Sequence, residues 1–127
     1  MKKEEVIDSL LKKAESDAKT AQELYNLKRY DWSLFIWHLV IEKSLKAKIV
    51  SLGEEIIYTH DLVRLAKKAQ ISMDAPVRDQ LREITTFNIE ARYDDYKLSF
   101  YAKANSKYSQ KWNKICEKLY ITIISSI

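Results

Sequence analysis

The chain has 127 residues, 46% hydrophobic and 31% charged, a length that makes one domain hiding roughly two thirds of its chain's surface on folding. No apolar run approaches the ~20 residues of a membrane helix. A single Cys and two His exclude an internal disulfide and a Cys-based zinc motif. The expectation is a single domain over residues 1–127 with no metal and no cofactor. Its N-terminus, MKKEEVIDSLLKKAES, goes straight into an amphipathic pattern, which reads as cytoplasmic.

The charge is unevenly placed. Residues 1–91 hold 15 Lys and Arg against 15 Asp and Glu, whereas residues 92–127 hold seven against three. The net +4 therefore begins at Arg92, and lopsided charge of this kind suits an anionic partner.

Taken in chain order, Val6, Ile7, Leu10, Leu11, Ala14, Ala18, Ala21, Leu24 and Tyr25 recur at steps of three and four. They predict a first helix over residues 4–27. Asp31 is the expected N-cap of a second helix over residues 31–52, with Tyr30 and Phe35 at the positions of a hydrophobic staple. That helix is apolar on nearly every side for three turns and should be the most buried element. Glu42 and Lys46 have the acid-before-base spacing of four, and Gly53, the only glycine, is the expected stop.

Thr59 or His60 is the expected cap of a short third helix, with Asp61 in its first turn and Leu62, Leu65, Ala66 and Ala69 inward. Asp74 or Ala75 opens a fourth helix, tolerating Pro76 in its first turn and placing Val77, Leu81 and Ile84 on the inner face. It should lapse into a loop near IEARYDDY. The last helix should start between Ala102 and Ser106 and run to the end, burying Tyr108, Trp112, Ile115, Leu119 and Ile123. With no strand pattern anywhere, the fold class is all-α: an up-and-down four-helix bundle with an additional short helix.

Three constellations could carry chemistry. Lys103, Lys107, Lys111, Lys114 and Lys118 are spaced to line one face of the last helix, either as phosphate contacts or as a solvated surface. Phe87, Tyr93, Tyr96, Phe100, Tyr101, Tyr108 and Trp112 make seven of the fourteen aromatic residues; they suit base stacking or a protein interface. His60 next to Asp61 is more simply a capping or packing residue, His38 a core histidine with one hydrogen-bond partner, and Cys116 a buried small hydrophobe.

IEKSLKAKI (residues 41–49), THDLVRLA (59–66) and ARY (91–93) before a final amphipathic helix resemble, in that order, the HEPN domain, the higher eukaryotes and prokaryotes nucleotide-binding domain. The resemblance covers nearly the whole chain. It implies a helical bundle that forms homodimers, often beside a minimal nucleotidyltransferase as a toxin–antitoxin pair, and in many members a metal-independent ribonuclease. The family's motif is an Arg followed after four to six residues by His. Arg92 matches the Arg, while the His positions hold Lys97, Leu98 and Ser99. The Tyr that some members carry two residues beyond that His, where the partner enzyme attaches nucleotides, has no counterpart at Ser99; Tyr96 or Tyr101 are the substitutes on offer.

The implied function is a non-catalytic or degenerate nucleotide- or RNA-phosphate-binding dimer acting with a nucleotidyltransferase. Arg92, Tyr93, Tyr96, Lys97, Lys103, Lys107 and Lys111 are the binding candidates. One alternative is a metal-independent endoribonuclease whose acid–base group is unconventional, carried by Arg92 with Asp95 or Lys97. Another is a pure interaction module whose aromatic cluster is the dimer seam.

Overall fold

The computed structural model describes residues 1–127. Six helices and no strands make it up: α1 (Lys3–Asn26), α2 (Tyr30–Ser51), α3 (Leu62–Lys68), α4 (Ala75–Arg92), α5 (Asp94–Lys103) and α6 (Ser106–Ser125). The expected four long helices and the short α3 are present. A sixth helix, α5, was not expected and covers the segment expected to be a loop.

Helix α2 touches every other helix. Its apolar sequence demands this, because Leu34, Trp37, Val40, Ile41, Leu45 and Ile49 lie on different sides and are all buried. On one flank α1 supplies small residues, Ala14 and Ala21, both fully buried. The close approach lets Ser33 Oγ donate to the Ala21 carbonyl at 2.8 Å, and Lys43 pairs with Asp17 across the same seam. Next to α1, α6 buries Trp112, Cys116 and Ile123, with Ile115 and Leu119 half-buried. The surroundings of Cys116 push its thiol well above the usual range, which keeps it protonated.

The turns follow local chemistry. Just past the end of α1, Lys28 is a left-handed residue (φ 61°) whose following amide, Arg29 N–H, returns to the Leu24 carbonyl at 2.8 Å. Gly53 stops α2 as expected: its φ is +78° and its surroundings are empty, so backbone freedom and not space selects glycine there. Asp74 caps α4 through Val77 N–H at 2.9 Å, and Asn105 caps α6 through Tyr108 N–H at 2.9 Å.

Two expected caps are displaced. Asp31 lies inside the first turn of α2, which starts at Tyr30 without a side-chain cap, so its charge meets the helix dipole instead. Tyr30 packs against Tyr25 (centroids 5.6 Å apart) and Phe35 meets Trp32 edge-to-face (6.0 Å), so neither closes a staple on the other. For α3 the cap is Asp61, which accepts from Val63 and Arg64 N–H at 3.0 and 3.4 Å. Thr59 sits two residues earlier and accepts from Asp61 N–H at 3.1 Å.

A buried polar triad ties α6 to α2. Trp37 Nε1–H donates to Asn113 Oδ1 at 2.7 Å, and Asn113 Nδ2 donates back to the Ser109 carbonyl at 2.8 Å. An indole N–H left buried without an acceptor costs about 1–3 kcal/mol. Asn113→Leu should therefore lower unfolding stability by about 2 kcal/mol in urea titrations, and adding Trp37→Phe should cost less than the two single losses summed.

Candidate functional site

Helix α4 ends at Arg92 and the chain bends at Tyr93, whose φ and ψ are −103° and 131°. Asp94 and Asp95 then occupy the first turn of α5, where the free amides favour anions. No Gly or Pro makes this break; it is a change of helix axis at one extended residue. The joint is held from behind by the rings of Phe87, Phe100, Tyr108 and Trp112, with Phe87 5.7 Å from Phe100 and 5.9 Å from Trp112.

Charges lock the same joint. Lys103 closes α5 and pairs with Glu83 at 3.0 Å and Glu90 at 3.7 Å, both on α4, while lying 5.4 Å from the Tyr108 ring centre. The Tyr108 hydroxyl donates to Glu83. Burial alone would raise the Glu83 pKa, but the bonds from Tyr108 and Lys103 outweigh it, and the carboxyl stays below its ordinary value. Burial and that same bond push the Tyr108 hydroxyl far up, so it remains a donor.

Lys103 is therefore not on the last helix, and its charge is used inside the fold. Lys107, Lys111, Lys114 and Lys118 do share α6 and are exposed, with Lys111 5.6 Å from the Trp112 ring centre. Lys97 pairs with Asp94 at 3.3 Å, and Asp95 is exposed without an ion-pair partner. Tyr93, Tyr96 and Tyr101 are 57%, 49% and 69% exposed, and Leu98 is 84% exposed, so α5 presents an apolar and aromatic outer face.

Beside the bend lies a pocket of about 420 Å³ into which Arg92, Tyr93, Asn88 and Thr85 project from α4 and its end, facing Thr59, His60 and Asp61. The Arg92 guanidinium is steadied by Asn88 Oδ1 at 3.5 Å, and neither Asp94 nor Asp95 pins it. The wall opposite is fixed to α4 by one bond, Leu62 N–H to Thr85 Oγ1 at 3.1 Å. This brings His60 to the Arg92 pocket although 32 residues separate them in sequence.

The imidazole is oriented from below. His60 Nδ1 lies 2.6 Å from Glu42 Oε1, a carboxylate only 7% exposed. A carboxylate only accepts, so Nδ1 carries the hydrogen, and Nε2 is left for the pocket. The second Glu42 oxygen takes Lys46 Nζ at 3.3 Å. His38 then supports the His60 backbone, donating from Nε2 to its carbonyl at 3.1 Å. The sequence favours a capping or packing role for His60 over a pair with its neighbour Asp61; Asp61 itself caps α3, and the carboxylate that orients His60 stands 18 residues earlier on α2. The available signal was Glu42, an acid in the middle of the most apolar helix, which must find cations.

The family model of the HEPN domain matches residues 7–123. The chain belongs to the HEPN domain family. A crystal structure of TT1696 from Thermus thermophilus shares the HEPN-like fold, with a TM-score of 0.82 at 15% identity over 95% of this chain and 98% of that one. At that identity the likeness concerns the fold. Among curated proteins none matches the chain. No helix of this HEPN domain is long and apolar enough to cross a membrane.

The support beneath His60 makes stability pH-dependent. Burial holds the His38 pKa below its ordinary 6.5, outweighing the His60 carbonyl bond and the attraction of Glu42. The unfolded chain protonates first as pH falls, so His38's contribution is complete above 6.5 and is lost towards its lower folded value. The urea midpoint should fall between pH 7.5 and pH 5.5, above the carboxylate range, and His38→Gln should flatten that slope.

Proposed function

We propose that this HEPN-domain protein binds a phosphate of a nucleotide or an RNA at the pocket that Arg92 and His60 share. The convergence of these two side chains carries the reading, since a guanidinium offers paired donors to phosphate oxygens and an imidazole adds a third contact. Tyr93 at the rim supplies a ring for a base to stack on. The exposed lysines of α6, Lys107 and Lys111 among them, extend the positive surface, while Lys103 adds little because Glu83 and Glu90 hold it.

A homodimer completes this reading. Within one copy the Asp61 carboxylate offsets the Arg92 charge in the same pocket, so a dianionic phosphate is better served by two Arg92 side chains facing one cleft. The outer face of α5, with Leu98 and Tyr101 three residues apart, is the surface suited to that contact. A minimal nucleotidyltransferase is the proposed partner, with Tyr96 or Tyr101 as exposed hydroxyls it could modify.

His60 favours a second reading, metal-independent RNA cleavage. His60 Nε2 takes the proton of a ribose 2′-hydroxyl as that oxygen bonds to phosphorus, the bond to the 5′-oxygen breaks, and water protonates the departing oxygen. A 2′,3′-cyclic phosphate results. The base would then be His60 held by Glu42, in place of the His that the motif positions 97–99 lack.

Gel shifts and cleavage read from the same EDTA-containing tubes test both. Arg92→Ala should weaken binding at least tenfold and make it less steep in salt, whereas Lys103→Met should lower stability and leave affinity unchanged. An unchanged affinity in Arg92→Ala overturns the pocket reading. Cyclic-phosphate product that disappears in both Arg92→Ala and His60→Ala establishes cleavage, and binding without product leaves the phosphate-binding reading alone.

A further inference from the structure

A second pocket, of about 380 Å³, shares no residue with the Arg92 site and has the opposite character. Helices α4 and α6 meet through the rings of Phe87, Tyr108 and Trp112. Nearer the start of α4 and the end of α6 they leave a space between them, floored by Leu45 of α2 and Ala66 of α3 and walled by Val77 of α4 and Leu119 of α6. Most of its lining is hydrophobic. Val77 and Leu119 are only half-buried, so apolar surface is left facing a concavity instead of being packed against protein.

At the mouth stand Lys114 and Lys118, one turn apart on α6. Both are exposed and neither takes part in an ion pair. Glu117, between them in sequence, instead accepts from Gln22 of α1 at 3.3 Å. The combination is an apolar slot under two unpaired ammonium groups.

We propose that this pocket binds a small anionic amphiphile, a medium-chain aliphatic carboxylate, with its hydrocarbon between α4 and α6 and its carboxylate on Lys114 and Lys118. The volume falls in the small-molecule range, about 300–1,000 Å³. A partner helix, about 10 Å across with its side chains, requires a long open groove instead.

Decanoate, octanoate and decanol, each below its micelle concentration, are titrated into the full-length protein by calorimetry, with heteronuclear NMR to locate the contact. Decanoate should bind saturably, about 15-fold more tightly than octanoate for its two extra methylenes, and should shift the methyl signals of Leu45 and Leu119. Lys114→Gln with Lys118→Gln should weaken decanoate about fivefold and leave decanol unchanged. Val77→Phe, which fills the slot, should abolish binding of both. Absence of saturable decanoate binding overturns the proposal, as do methyl shifts elsewhere in the wild-type protein, which need no variant to fold. An acidic amphipathic peptide that binds at these methyls while decanoate does not also overturns it and makes the slot a protein-docking groove.

Discussion

Glu42 is the constraint from which the rest of the site follows. A buried carboxylate on the most apolar helix of the bundle would cost several kcal/mol if left unpaired. It is answered from two directions: Lys46 reaches it from the next turn of α2, and His60 comes from the segment before α3. The second answer draws an otherwise irregular stretch onto α2 and fixes the tautomer of its imidazole. One turn before Glu42, His38 holds the carbonyl of the same residue. Two polar side chains of the central helix thus set where the outer wall of the Arg92 pocket stands.

The other wall depends on the bend at Tyr93, and it is held by different means. Side chains at the bend itself hold little: Tyr93 is exposed, and α5 begins without a side-chain cap. Its position is set by what lies behind. Phe100 and Phe87 pack together in the core, and Lys103 bridges to two glutamates of α4 while Tyr108 of α6 donates to one of them. Three helices are joined at one point by groups kept in the charge states that make the bonds. Lys103 therefore belongs to the packing of this joint, its charge taken up by Glu83 and Glu90.

How far the sequence was legible depended on whether the signal was local. The long helices, the burial of α2, the Gly53 stop and the Asp74 cap are all encoded within a few residues, and each appears as expected. Helix α5 was not legible because its apolar spacing is poor: only Phe100 is buried, and the aromatic residues around it face outward. The paired aspartates in the segment expected to be a loop are a helix start, a role that needs only the dipole of the first turn. The lysine spacing ran smoothly across a helix boundary at Asn105, so it could not reveal that Lys103 belongs to another element. His60 needed a partner 18 residues away and an arginine 32 residues on, a relation that only tertiary structure supplies.

Both pockets lie along α4, and packing accounts for the space beside it. Helix α1 covers its own flank of α2 closely, with Ala14 and Ala21 letting the two backbones approach. The remaining surface of α2 is shared by four shorter contacts, from α3, α4, α5 and α6. Four elements of unequal length do not tile a helix surface as completely as one matched partner does. Helix α4 runs along the gap, and a single stripe of its residues at steps of three and four faces it: Val77 and Leu81 line the apolar pocket, then Thr85, Asn88 and Arg92 line the polar one. The stripe changes from hydrocarbon to hydrogen-bonding groups halfway along. That change, written into one helix, gives the two pockets their opposite chemistry.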